Sequence, residues 1–180
     1  IIGRLYRYVT LIIGLKPNEH EYKVMGLAPY CKPHYSEKII KIFENFQKVK
    51  GFKFSYINKP KDFYFEIKKC LDGQRFDTIA SGLQTYTENL IMHWIKNLVK
   101  KTKVHNICLA GGVSMNVKTN MLIAKINKKI NLYVPACPDD ASQAMGACYA
   151  SLLNKSENIF KNSFINSAYL GPKSFELSKI

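Results

Sequence analysis

The run Leu109-Ala110-Gly111-Gly112-Val113-Ser114-Met115-Asn116 carries the residue types that bring a ligand close to bare backbone. An apolar segment, 106–110, leads into it, and a segment of helical spacing, 113–128, leads out. A strand that stops on two glycines and turns into a helix lets N–H groups approach a ligand closely, and the helix N-terminus adds the positive end of its dipole. Asn116, one turn further on, offers an amide able to read a base edge or a sugar hydroxyl. The pattern recurs about twenty-five residues later, with 131–136 as a strand, Pro138-Asp139-Asp140 as a turn and 141–153 as a helix. Two strand ends facing one crevice, one lined by glycines and one by carboxylates, suggest a nucleotide and metal site. Two adjacent Asp exceed what one helix cap needs, which leaves a carboxylate for a divalent ion.

The rest of the chain must position these turns. Apolar residues at 2, 5, 9, 12 and 13 give 1–15 helical spacing, ended by Gly14 and Pro17. A second helix is expected over 19–30, broken by Pro29 and Pro33, and an amphipathic surface helix over 35–48. The stretch 50–65 is basic and aromatic, and the alternation of Phe52, Phe54 and Tyr56 predicts a short strand or extended insert covering a core edge. Ile79, Leu83, Tyr86, Leu90, Trp94 and Leu98 form one stripe, so 76–101 is the strongest helix expected. The strand–helix–strand–helix order from 106 to 153 implies a parallel pair of strands. Residues 154–167 read as an Asn/Ser/Lys-rich linker, and 168–180 as the start of a further unit.

The 180 residues suffice for one domain with a real core, and 47% hydrophobic content argues against disorder. The net charge of +14 invites a nucleic-acid reading. Only three of the 27 basic residues are Arg, however, and the Lys excess fits a solvated surface better than a footprint built on Arg forks. Five scattered Cys (31, 70, 108, 137 and 148), with no CxxC and no His at zinc spacing, read as reduced thiols of a cytoplasmic protein. The apolar start carries Arg4 and Arg7 and is too short to span a bilayer. The chain opens at Ile1 inside expected structure, which suggests a piece of a longer protein.

Three segments, in order, resemble one family. His20-Glu21-Tyr22-Lys23-Val24-Met25-Gly26-Leu27-Ala28-Pro29-Tyr30 is similar to the EYKVMGLAPYG signature of the nodulation-protein-U and tobramycin O-carbamoyltransferase family. The run 109–116 is similar to its LAGGVALN, and 135–147, PACPDDASQAMGA, to its PAAGDAGGALGAA. Ser81-Gly82-Leu83-Gln84 and Tyr169-Leu170-Gly171-Pro172 also fit, so the resemblance covers nearly the whole chain. It implies the second half (1–153) of a domain with the actin/Hsp70/sugar-kinase-like (ribonuclease H-like) ATPase fold, an α/β architecture. It also implies a linker, and from 168 the start of a YrdC-like domain that makes carbamoyl-adenylate from carbamoyl phosphate and ATP. The carbamoyl group then passes to a hydroxyl of a sugar or secondary metabolite.

The resemblance places Gly111, Gly112 and Val113 along the adenosine pocket, Asn116 at the base or ribose, Glu21 near the ribose hydroxyls and Lys23 near the phosphate or the domain interface. It makes Asp140 a ligand of iron(II), zinc or manganese, with Asp139 as cap or support. The family's paired-His metal motif is missing, since no two of His20, His34, His93 and His105 stand four apart. Cys31 stands where the family commonly has Gly, which questions the loop if it needs positive φ. The implied partners are carbamoyl phosphate, a hydroxylated small molecule and the rest of the same enzyme, with no membrane and no nucleic acid. The chain alone is expected to be inactive. Two other readings are an ATP-dependent kinase or ATPase of the same fold, and a non-catalytic fragment binding RNA through 50–69.

Overall fold

The computed structural model describes residues 2–156 and 158. Seven α-helices and two two-stranded sheets make up the described part, a mixed α/β arrangement built around one long helix. That helix, α5 (Phe76–Thr102), carries the expected stripe: Ile79, Leu83, Tyr86 and Leu90 are buried along it, Trp94 and Leu98 are partly buried, and Ile95 is buried beside them. Around it pack α1 (Ile2–Ile12), α2 (Glu21–Leu27), α3 (Pro33–Glu44) and α6 (Val117–Ala124). Pro33 opens α3 at the position where a missing N–H costs nothing. The approach of α3 to α5 depends on Gly82, where a Cβ would lie 2.5 Å from Cβ and Cγ2 of Ile39.

The basic, aromatic stretch divides into two elements. Its first part is a hairpin, β1 (Gln47–Lys50) and β2 (Lys53–Tyr56), turning at Gly51 with φ +59. The hairpin is held on α5 by Trp94 Nε1 donating to Phe52 O at 2.8 Å and by Phe54 against the Trp94 ring, so it covers a core edge as expected. Its second part departs from the expected extended chain. Phe63–Leu71 is helix α4, started by Asp62, whose side chain accepts from Phe65 N at 3.0 Å. The physical reason is spacing: Phe63, Ile67 and Leu71 stand four apart, and Ile67 and Leu71 reach the core on a helix as they could not on a strand.

Strands β3 (Asn106–Cys108) and β4 (Asn131–Tyr133) pair in parallel, Ile107 opposite Leu132, with α6 in the connection. Both are shorter than the expected 106–110 and 131–136, because the chain leaves the ladder at the glycine and proline turns. The helix expected over 113–128 is split into a 3-10 turn, Gly112–Met115, and α6. A second 3-10 turn, Asp140–Ser142, precedes α7 (Gln143–Lys155). Helix α7 thus runs two residues into the stretch read as a linker, and, apart from 156 and 158, the remainder of that stretch and 168–180 lie outside the described residues. No helix among the described residues is long and apolar enough to cross a membrane. All five cysteines are free. Cys31 has φ −101, so its loop makes no demand for glycine.

Candidate functional site

Gly111 brings the two turns together. It sits at φ +95, where a Cβ would be strained, and its N–H donates to Pro138 O at 2.5 Å. That bond joins the glycine turn after β3 to the Pro-Asp-Asp turn after β4. Gly112 and Val113 follow as the opening of the 3-10 turn, so their N–H groups have no partner within it. In the second turn the two carboxylates divide as the residue types suggest. Asp139 Oδ1 accepts from Ala141 N at 3.3 Å as a cap, while exposed Asp140 has only a 3.4 Å contact from Gln143 Nε2.

Both turns face a cleft of about 560 Å³ whose other walls come from α1, α2 and the loop between them. Glu21, Gly112, Val113, Asn116 and Asp140 all line it. Glu21 Oε1 accepts from Asn18 N at 2.6 Å, which holds the positive-φ turn at Asn18 (φ 67) beside the cleft. Two residues expected in the site stand apart from the cleft wall. Gly111 acts from behind, through its bond to Pro138. Lys23 has its Nζ 5.9 Å from the centre of the Tyr22 ring and does not line the cleft.

Asn116 lines the cleft, yet its amide is fully engaged with protein. Its Oδ1 accepts from Thr119 N at 3.1 Å, capping α6, and from Gln84 Nε2 at 3.0 Å. Its Nδ2 donates to Gln84 Oε1 at 2.9 Å and to Tyr6 Oη at 3.1 Å. Tyr6 in turn donates to Gln84 Oε1 at 2.5 Å, and Gln84 Nε2 also reaches Glu88 Oε1 at 2.7 Å. All three side chains are buried, with Tyr6 and Asn116 7% exposed and Gln84 4%. Burial pushes the Tyr6 phenol well above its usual range, which keeps it a donor. An amide with both donors and its acceptor committed stiffens a wall, and a ligand contact would have to displace one of these bonds.

Two residues of the site were passed over in the sequence. Arg4 and Arg7, three apart on the outer face of α1, both line the cleft, and neither has an ion-pair partner among the described residues. In the sequence their charge stands out only as an obstacle to a membrane span. The available signal was that two of the three Arg in a Lys-rich chain stand one turn apart on an amphipathic helix. With the glycine turn they give one side of the cleft an anion-binding character, while Glu19, Glu21, Asp139 and Asp140 supply acceptors. For a metal, Asp140 is a chemically suitable single ligand. Among the described residues no three His, Cys, Asp or Glu side chains come together as a metal-binding group.

Residues 1–149 match the family model described as the carbamoyltransferase N-terminus, and the chain belongs to that family. It is 28% identical over 190 residues to the uncharacterised protein sll1178 of Synechocystis, an alignment covering 96% of this chain and 31% of that one. It is 31% identical over 156 residues to the uncharacterised protein MJ1051 of Methanocaldococcus jannaschii, covering 83% of this chain and 29% of that one. It is 28% identical over 131 residues to nodulation protein NolO of Bradyrhizobium diazoefficiens, covering 71% and 24%. The chain thus spans under a third of the length of these relatives.

Proposed function

We propose that the chain is part of an O-carbamoyltransferase and that its cleft holds carbamoyl-adenylate, formed from carbamoyl phosphate and ATP. One observation supports this most. Three segments distant in the sequence, each similar to a family signature, meet at a single cleft through Glu21, Gly112, Val113 and Asp140. In this reading the described part is half of an actin-like ATPase-fold domain, working in the cytoplasm with further parts of the same enzyme.

The chemistry asked of these residues is orientation and charge stabilisation. An acceptor hydroxyl oxygen forms a C–O bond to the carbamoyl carbon. The bond from that carbon to the phosphate oxygen breaks, its electron pair stays on AMP, and the hydroxyl proton passes to solvent. The N–H groups of Gly112 and Val113, with Arg4 and Arg7, balance charge gathering on the AMP phosphate. Glu21 accepts from the ribose hydroxyls. Asn116, tied to Gln84 and Tyr6, holds the glycine turn in place and is a positioning residue. A divalent ion bound through Asp140 and groups beyond the described residues would polarise the carbamoyl carbonyl.

The test is the product set of the complete protein given ATP, carbamoyl phosphate and hydroxylated acceptors. AMP, pyrophosphate, the phosphate released from carbamoyl phosphate and a carbamoylated acceptor are expected. ADP in place of AMP and pyrophosphate, with or without a phosphorylated acceptor, would replace this reading by a kinase or ATPase of the same fold.

A further inference from the structure

Beside the cleft lies a second hollow, of about 310 Å³, between α1, the end of the hairpin and the start of α4. We propose that it binds a small polyhydroxylated anion, a single sugar-like ring carrying a phosphate, sulfate or carboxylate. We also propose that this molecule is the hydroxyl acceptor. The acceptor role rests on the carbamoyl-transfer reading, whereas the binding site stands on the hollow itself.

Charge comes first. Arg4, Lys59 and Lys61 line the hollow against one carboxylate, Asp62, whose Oδ1 is already occupied by Phe65 N. Arg4 and Lys61 have no ion-pair partner among the described residues, and Lys59 lies 5.8 Å from the centre of the Tyr56 ring. Three cations against one carboxylate leave a net positive charge around a small concavity, which favours an anion.

The walls then narrow the class. Tyr8 of α1, Tyr56 of β2 and Tyr64 of α4 all line the hollow, and no phenol among them has a hydrogen-bond partner among the described residues. The rings are held by their aromatic neighbours, Phe63 itself lining the hollow. Phe63 packs on Tyr8 at 6.1 Å and on Tyr56 at 6.0 Å, Phe46 backs Phe63 at 5.3 Å, and Tyr64 meets the edge of Tyr8 at 5.7 Å. Fixed aromatic rings with free hydroxyls suit a sugar, offering faces to its C–H groups and phenols to its hydroxyls. The volume is at the small end of ligand sites, which run to about 300–1,000 Å³, so it takes one ring and its charged group, whereas the larger cleft suits a nucleotide.

Position supplies the link to the reaction. Arg4 lines both the hollow and the cleft. A ring in the hollow and an adenylate in the cleft would therefore share one guanidinium, placing an acceptor hydroxyl beside the carbamoyl donor.

The experiment is calorimetric titration of the protein with glucose 6-phosphate, glucuronate, glucose, inorganic phosphate and octauridylate, with ATP titrated in parallel. At least one sugar anion is expected to bind about tenfold or more tighter than both glucose and inorganic phosphate, equivalent to about 1.4 kcal/mol. Lys59→Ala with Lys61→Ala, both exposed, should weaken that binding about tenfold and leave ATP binding unchanged. Tyr56→Phe with Tyr64→Phe should weaken the sugar anion but not inorganic phosphate. The site is overturned if neither sugar anion exceeds glucose and phosphate, if the lysine variant binds as before, or if octauridylate binds tighter than either sugar anion. Sugar-anion binding without ATP binding would support the hollow and remove the transfer reading. ATP binding without sugar-anion binding would do the reverse.

Discussion

Replacing Asn116 by Ala separates a wall-stiffening amide from a ligand-reading one. The side chain makes four hydrogen bonds: two with Gln84, one with Tyr6 and one with the backbone N–H of Thr119. Losing the helix cap costs about 1 kcal/mol. Truncation also removes the two bonds with Gln84 and the one with Tyr6, each worth about 0.5–1.5 kcal/mol net, while Gln84 keeps its bonds to Glu88 and Tyr6. The sum is about 2.5–5.5 kcal/mol, a large share of the roughly 5–15 kcal/mol that stabilises a typical domain. Asn116→Ser keeps a capping oxygen and should recover about 1 kcal/mol of that loss. Urea unfolding followed by circular dichroism reads the stability, and nucleotide titration of the same variants reads the site. The network also predicts that Asn116→Ala and Gln84→Leu together cost clearly less than the sum of the two alone, since removing both partners leaves fewer orphans. A loss below about 0.5 kcal/mol for Asn116→Ala, the usual scale of inert surface changes, together with a large drop in nucleotide affinity, would refute the reasoning. It would make Asn116 a ligand contact.

Further expectations come from packing and charge. Gly82→Ala should lower stability, because a Cβ 2.5 Å from Ile39 costs about 1–3 kcal/mol of overpacking against about 1 kcal/mol gained in helix preference; a raised melting temperature would contradict the close α3–α5 approach. Gln47→Met should stabilise by about 1–2 kcal/mol, since both polar atoms of the buried Gln47 amide lack partners among the described residues, and chemical denaturation reads the change. Hydrogen bonds from the Arg75 guanidinium hold the Asp77 carboxyl below its usual range. A carboxyl lowered in the folded state stabilises above its unfolded pKa of about 4, and that contribution is lost as pH falls through this range. Asp77→Asn should therefore flatten the stability profile below about pH 4, read by thermal unfolding in a pH series.

Much of this architecture could be read before any coordinates. The stripe from Ile79 to Leu98 specified α5 because a long amphipathic period admits one solution. The two strand-to-helix turns were legible because Gly111-Gly112 and Pro138-Asp139-Asp140 end an apolar run in a way that few other structures permit. The start of α4 was missed because three consecutive aromatics at 63–65 masked the four-residue spacing of Phe63, Ile67 and Leu71 and the cap at Asp62. The division of labour at Asn116 was invisible for a different reason. Its partners, Tyr6 and Gln84, lie 110 and 32 residues away, and no local pattern links them. Arg4 and Arg7 were misread because their charge was weighed against a membrane span before the face they share on α1 was considered. Lys23, expected near the phosphate or the domain interface, shows that membership of a signature run does not fix which side of a helix faces the cleft.

The most direct test of the central claim is the position of a bound adenine nucleotide, read by amide chemical-shift changes on titration with AMP. The account predicts the largest shifts at Glu21, Gly112, Val113 and Asp140, lost together in a Gly112→Val variant that remains folded. Shifts confined to other surfaces, or none at millimolar AMP, would contradict it.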